Sequence, residues 1–287
     1  MQGRIVKGVG GLYQVLCQGV LYPCNARGRF RRDRQKPMVG DWVCFDPPQG
    51  DGNGYLTELL PRKNGLLRPA VANVDLLMLV VAAAMPQPDL LLIDQLLTYA
   101  AAMEIPAALV VNKADLADPT PILAQYETLE WALPNDEQLS GIPAIRERIQ
   151  GKTVCLAGQS GVGKSTLIAA LTQKDDLEVG SISPKTLHGR HTTRHVELLP
   201  AGDGFVVDTP GFSLLELELM EPARLKERYP EYAPYEGQCR FLGCLHDKEP
   251  GCAVRMAVEE GRLCRQRYER YCMLLAEARR KWKERYD

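Results

Sequence analysis

The chain has 287 residues, 45% of them hydrophobic and 25% charged, which is enough for two or three domains of an ordinary soluble globular protein. No apolar run approaches the 18 or so residues that span a bilayer, and the stretch after Met1 lacks the apolar core of a signal peptide, so a cytoplasmic protein with no membrane partner is expected. The net charge of −1 hides a division: residues 1–66 carry 10 Lys/Arg against 5 Asp/Glu, residues 262–287 carry 9 against 4, and the middle carries 16 against 27. Two basic ends around an acidic centre suit an extended anionic partner such as nucleic acid, with solvated surface charge as the plainer alternative. Nine cysteines, an odd number, do not suggest a disulfide framework. Cys17, Cys24, Cys44, Cys155, Cys264 and Cys272 are scattered and read as small buried hydrophobes or incidental thiols.

The first 66 residues read as five short strands broken by Gly turns: Gly3–Val9, Leu12–Cys17, Val20–Ala26, Asp41–Phe45 and Gly54–Leu60. Such spacing fits a small β-barrel, most simply an OB-fold, with an SH3-like barrel as the alternative. The loop after the third strand carries Arg27, Arg29, Arg31, Arg32, Arg34 and Lys36 around Phe30, a cationic loop suited to RNA phosphates. From about residue 70 the pattern becomes strand, helix, strand: Val74–Val81, Leu90–Met103, Ala107–Val111 and Thr153–Ala157, then a Gly-rich loop and a helix over Lys164–Leu171. His195–Leu199 and Phe205–Val207 predict a hairpin around Ala201–Gly204. Fully apolar strands alternating with helices indicate a doubly wound α/β sheet. After about residue 215 the chain becomes charged and helical, and Val254–Glu284 is almost all helix-forming.

Four motifs carry chemistry. Asn112-Lys113-Ala114-Asp115 follows a buried strand. An Asp carboxylate there accepts from guanine N1–H and the 2-amino group, and adenine, with an acceptor at N1, is rejected. Asn112 can bond guanine N7, and the Lys113 stem can lie along the base. Gly158-Gln159-Ser160-Gly161-Val162-Gly163-Lys164-Ser165 follows a strand and opens a helix, the context a phosphate loop requires. Its glycines turn backbone N–H groups around the β-phosphate, and the helix N-terminus adds partial positive charge. Lys164 reaches the β- and γ-phosphates, Ser165 ligates Mg²⁺, and Thr166 touches the α-phosphate. Asp208-Thr209-Pro210-Gly211 supplies an Asp for the Mg²⁺ shell and a Gly211 N–H that senses the γ-phosphate. Upstream, Gly189-Arg190-His191-Thr192-Thr193 lies in a stretch expected to be mobile (188–194), and Thr193 is expected to complete the Mg²⁺ shell.

Phe212 stands where signalling GTPases carry a water-orienting Gln. Either intrinsic hydrolysis is slow or another group supplies the function; His191 is the candidate within the chain. Cys239, Cys244, His246 and Cys252 offer three thiolates and an imidazole within 14 residues, a closed set for one structural Zn²⁺, with four unconnected residues as the alternative.

The base-reading motif precedes the phosphate loop, the reverse of the usual order. This predicts a circularly permuted P-loop GTPase domain, its old termini joined around Gln150-Gly151-Lys152. The small Ser-Ala motif that also touches guanine is expected near residues 131–140, but no clear pair is present there.

In this order the motifs, with the barrel-like N-terminus and the basic helical C-terminus, resemble the RsgA (YjeQ/YloQ) family of ribosome-associated, circularly permuted GTPases. The resemblance covers essentially the whole chain. It implies an OB-fold over 1–66, a permuted GTPase domain over 67–214 and a helical zinc domain over 215–287, acting as a monomer. It also implies GTP/GDP, Mg²⁺ and Zn²⁺ as ligands, late maturation of the 30S ribosomal subunit with 16S rRNA as contact, and weak hydrolysis stimulated by that subunit. A switch histidine that helps catalysis maps onto His191. Readings from other classes are a nucleic-acid-binding module with GTP as a structural ligand, and a metabolic P-loop kinase.

Overall fold

Apolar strand pairing organises the chain, and a computed structural model shows where it is closed and where it is shared. The structure describes residues 1–28, 30, 36–50, 52–67, 69–129, 132–136, 138–172, 196–208 and 220–285. Of the predicted site residues, Arg29, Arg31, Arg32, Arg34, His191, Thr193 and Gly211 lie outside the described residues, as does the whole of the stretch expected to be mobile, 188–194. Two units are present: one comprises Met1–Leu77, Gly141–Leu156 and Lys164–Phe212, the other Met78–Ser140, Ala157–Gly163 and Ser213–Asp287.

The first unit begins with β1 (Gln2–Val9), β2 (Leu12–Cys17), β3 (Val20–Ala26), β4 (Trp42–Asp46) and β5 (Gly54–Leu59). β1 pairs with β2 and β4, β2 with β3, β3 with β5, and β5 with β4, so the five strands close on themselves. This is the expected N-terminal OB-fold barrel. Alternation along the strands points Ile5, Val15, Val43, Phe45 and Leu56 inward, each fully buried. A short hairpin, β6 (Gly65–Leu67) and β7 (Ala70–Ala72), follows; the sequence reading did not separate it.

β1 serves two sheets. Its first half registers against β4, from Gln2↔Cys44 to Arg4↔Trp42, and its second half meets a later strand through Lys7↔Glu197. The register against β2 shifts between Ile5 and Lys7, a bulge that bends the strand between its two duties. The later strand is β12 (Glu197–Ala201), which forms a hairpin with β13 (Gly204–Asp208). β13 in turn runs parallel to β11 (Thr153–Ala157), with Cys155 opposite Val207. Arg4 cements this junction. Its buried guanidinium lies 5.6 Å from the Trp42 ring and 5.3 Å from the Phe205 ring, and it donates to the Gly40 and Asn73 carbonyls. Among the described residues this unit also holds the helices α3 (Ile142–Ile149) and α4 (Lys164–Thr172). Gln150–Lys152, the expected join, is a turn in which Lys152 N–H donates to the Ile149 carbonyl.

The second unit holds most of β8 (Leu76–Ala82), with α1 (Leu90–Ala102), β9 (Ala107–Asn112), α2 (Thr120–Leu123) and β10 (Ala132–Pro134). β8 is buried at all seven positions, as a central strand covered on both faces should be. β10 adds to β9 in parallel, Leu133 opposite Val110; it is too short and too polar at its flanks to announce itself in the sequence. The C-terminal part contains two 3₁₀ segments (Pro222–Arg228 and Pro230–Tyr235), then α5 (Ala253–Glu259) and α6 (Arg265–Glu284). The helix-forming run from Val254 is thus two helices, broken at Gly261, whose φ of 73° no helix accommodates. Leu225, Tyr229, Tyr232, Val254, Tyr271, Leu274 and Leu275 form the core between them.

One buried charge cluster ties α1 to α6 inside this unit. Asp94 is fully buried and accepts from Arg270 Nε over 2.5 Å, with Arg267 Nη1 at 3.5 Å from its other oxygen. Arg267 also pairs with Glu231, and Arg270 reaches the Gln125 side chain. Among the described residues, no helix is long and apolar enough to cross a membrane.

Candidate nucleotide site and metal centre

Asn112 ends β9 and is buried, while Asp115, three residues on, is exposed to solvent. Between them Lys113 takes the left-handed backbone, φ 59°. That turn sends the lysine back across the phosphate loop: its Nζ donates to the carbonyls of Gly161 (2.9 Å) and Met85 (2.5 Å). The Asn112 amide donates to the Val162 carbonyl over 2.8 Å. The base-reading motif and the phosphate loop, 50 residues apart in sequence, are therefore hydrogen-bonded into one construction.

The loop's glycines are fixed by this packing. A Cβ on Gly158 would lie 2.1 Å from the Val80 carbonyl oxygen, and one on Gly163 would lie 2.2 Å from Asn112 Nδ2. Gly158, Gly161 and Gly163 all have positive φ, the backbone that turns successive N–H groups to one side. Val162 is fully buried and anchors the loop, while Ser160 and Gly161 face solvent. α4 starts at Lys164, so Ser165 and Thr166 lie in its first turn, both exposed. Burial lowers the Lys164 pKa from its ordinary value.

Asn135 is the site residue that the sequence reading missed. It follows β10 and is fully buried, and its Nδ2 donates to Asn112 Oδ1 over 2.7 Å. Its main chain donates to the Val111 carbonyl and accepts from Ala114 N–H, closing the base-motif loop from the far side. Asp136 caps the next turn, accepting from Ser140 N–H and Oγ. The strand-then-polar-turn at the carboxyl end of a strand parallel to β9 is the place expected of the missing Ser-Ala pair. Only the pairing of β10 reveals it.

Asp208 stands at the carboxyl end of β13, half-buried, in the first unit. Its pKa is raised, first by burial and then by the charge of Glu197 opposite it. An oxygen donor held partly desolvated beside a second carboxylate favours a bound hard cation, and Ser165 offers a hydroxyl; this chemistry fits Mg²⁺.

The Cys/His cluster is arranged as a candidate metal centre. One ligand atom from each of Cys239, Cys244, His246 and Cys252 lies within 4.8 Å of every other. Tetrahedral Zn²⁺ with bonds of about 2.3 Å to sulfur and 2.0 Å to nitrogen sets S···S at about 3.8 Å and S···N at about 3.5 Å. Cys239 and Cys252 sulfurs are 4.0 Å apart, and His246 Nδ1 is 3.6 and 3.4 Å from them. Ala253, His246 and Arg255 N–H groups donate to the three sulfurs, which favours thiolates. Burial pushes the Cys244 thiol up to about 12, a preference that a cation would reverse. The residues fit Zn²⁺, and the closed set leaves no position for substrate.

Residues 59–218 match the family model described as RsgA GTPase, and residues 2–56 match that of the RsgA N-terminal domain. The chain belongs to the RsgA GTPase family. Two curated relatives bear this out. The small ribosomal subunit biogenesis GTPase RsgA 2 of Listeria innocua is 40% identical with 100% of both chains covered. The RsgA of Carboxydothermus hydrogenoformans is 43% identical, covering 96% of this chain and 97% of its own. Among solved structures, YloQ, titled a circularly permuted GTPase, matches with TM-score 0.80 and 34% identity, covering 98% of this chain and 95% of that one. YjeQ from Thermotoga maritima matches with TM-score 0.81 and 35% identity, covering 96% and 98%. The expected fold class therefore holds: a circularly permuted GTPase with an N-terminal barrel and a helical C-terminal part bearing a Cys₃His cage. Membership of the RsgA family implies GTP/GDP and Mg²⁺ as its ligands. The basic loop is described at only two of the six residues predicted to bind RNA. Arg27 pairs with Asp46 over 2.6 Å and lies 5.9 Å from the Tyr55 ring, and Lys36 is exposed.

Proposed function

We propose that the chain hydrolyses GTP to GDP and phosphate on the 30S ribosomal subunit and assists its late maturation, with weak intrinsic activity that the subunit stimulates. The observation that carries the nucleotide half is the Asn112–Val162 hydrogen bond, which joins the base-reading motif to the phosphate loop. The ribosomal half is supported by the names of the relatives, small ribosomal subunit biogenesis GTPases, and by the charge division between the ends and the centre.

Within this reading the residues divide the work. Asp115 selects guanine over adenine, and Asn112, Lys113 and Ala114 shape its loop. Gly158 through Gly163 and Lys164 cradle the phosphates, with Thr166 at the α-phosphate. Ser165, Thr193 and Asp208 hold Mg²⁺, which supplies charge neutralisation on the phosphates when bound. Gly211 reports the γ-phosphate, and His191 assists hydrolysis. Cys239, Cys244, His246 and Cys252 hold one structural Zn²⁺. Arg27, Arg29, Arg31, Arg32, Arg34 and Lys36 contact 16S rRNA. The functional boundaries are 1–66 for the RNA-binding barrel, 67–214 for the GTPase and 215–287 for the zinc domain, in a cytoplasmic monomer with no membrane partner. The zinc domain follows directly on the γ-phosphate sensor in sequence, so hydrolysis changes affinity for the subunit.

The deciding experiment is GTPase rate against added small and large ribosomal subunits. Stimulation by the small subunit alone supports the reading. A rate unchanged by either removes the ribosomal half, and no turnover at all reduces GTP to a structural ligand.

A further inference from the structure

Three charged residues lie in one row across three neighbouring strands of the first unit. Lys7 on β1 is directly opposite Glu197 on β12, and Glu197 is directly opposite Asp208 on β13. Directly opposed residues share a sheet face, with Cβ atoms about 5 Å apart. The side chains follow the backbone: Lys7 Nζ and Glu197 Oε2 are 2.6 Å apart. The row thus runs from a barrel strand to the carboxylate at the end of β13. Lys7↔Glu197 is also the one register by which β1 is hydrogen-bonded to β12 among the described residues.

Glu197 is not among the residues proposed to ligate Mg²⁺, yet it places a second negative charge beside the carboxylate that is to face the cation. Lys7 offsets that charge. Both partners are only partly exposed, Lys7 at 40% and Glu197 at 31%, so their charges are incompletely screened.

We propose that Glu197 is a positioning residue for Mg²⁺ at Asp208, and that Lys7, from the barrel, sets how strongly Glu197 acts. The proposal rests on Asp208 being a Mg²⁺ residue, as read above. Its signature is a pair of opposite signs. Glu197→Gln removes a negative charge and leaves Lys7 unopposed, so Mg²⁺ binds less well. Lys7→Met frees the Glu197 charge, so Mg²⁺ binds better. A purely structural bridge predicts something else, because losing either partner then harms the site alike.

The test uses the full-length protein and a fluorescent, non-hydrolysable GTP analogue, with binding followed as Mg²⁺ is titrated. One charge at this range is worth about three-fold in divalent affinity. Half-saturating Mg²⁺ should rise about three-fold in Glu197→Gln and fall about three-fold in Lys7→Met. Lys7→Arg should match the wild type. Asp208→Asn is the reference, with a rise of about ten-fold or more. If Asp208→Asn moves the midpoint while Lys7→Met and Glu197→Gln move it together or not at all, the charge row is overturned and the Mg²⁺ reading stands. If Asp208→Asn leaves the midpoint in place, the Mg²⁺ reading falls and the inference with it.

Discussion

The side-chain amide of Asn112 donates to the main-chain carbonyl of Val162 and lies where a Cβ on residue 163 would have to go, 2.2 Å from it. The motif proposed to read the base therefore also shapes the phosphate loop. Gly163→Ala should force either the loop or Asn112 to move, at a cost of about 1–3 kcal/mol in strain. Guanine-nucleotide affinity should fall about ten-fold or more by calorimetric titration. The same strain is present without nucleotide, so the melting temperature of the nucleotide-free protein should fall by about a few degrees.

Asn135 fixes which way the Asn112 amide points. An aspartate there can only accept, so Asn112 would have to turn its Nδ2 toward residue 135 and present its oxygen to the Val162 carbonyl. Asn135→Asp should weaken GTP and GDP binding alike, by about 1–3 kcal/mol. Asn135→Ser, which keeps a donor, should lose less. Equal losses in the two variants would show that the donor is not what matters.

His191 is tested by kinetics alone, since it lies outside the described residues. His191→Ala should lower the maximal subunit-stimulated GTPase rate, by about 10²-fold if it acts as an acid–base or water-positioning group. Nucleotide affinity should stay nearly intact. An unchanged stimulated rate rules the residue out.

The cage of Cys239, Cys244, His246 and Cys252 predicts one equivalent of zinc in the purified protein. Less than about half an equivalent by metal analysis would count against it. Cys252→Ser, or removal of metal with a strong chelator, should speed hydrogen exchange across α5 and the start of α6, whose packing rests on the cage through the Tyr268 and Tyr271 hydroxyls bonded to the His246 and Leu245 carbonyls. Exchange in the barrel should be unaffected.

The buried pair of Arg270 and Asp94 gives a stability prediction. Arg270→Met removes the closest partner of a carboxylate that is fully buried, and should destabilise the protein by about 3–5 kcal/mol in denaturant unfolding. Replacing both, Asp94→Leu with Arg270→Met, should recover much of that loss. The coupling between the two changes is the quantity to report, and additive losses would mean that the pair is not what holds α1 to α6.

Much of this protein is legible in its sequence, and the limits are physical. The five barrel strands, β8, β9 and β11 carry period-two or fully apolar patterns, α4 is announced by the Gly-rich loop before it, and each falls within a residue or two of its predicted place. The glycine spacing of 158–163 and the four candidate metal ligands are local patterns, and the structure brings each set together. What could not be read is pairing between distant segments. β10 is three residues long, so Asn135 gains meaning only once Ala132–Pro134 is seen beside β9. Asp94 reads as one polar residue on a helix until the arginines of α6, more than 170 positions away, are placed against it. The break at Gly261 inside a helix-forming run was open to reading, since glycine there is the usual stop.

The two duties of β1 have a consequence for how the chain is made. Its partners β2 and β4 emerge from the ribosome early, so the barrel can close once residue 59 is out. Glu197, the partner of Lys7, is 190 positions behind it. At about 5–20 residues per second, the far half of β1 waits for roughly ten to forty seconds as an open strand edge on the nascent chain. Unpaired edges invite wrong partners, and a charged side chain is the usual guard against them. Lys7 holds that position for the whole interval, well before it has a carboxylate to meet.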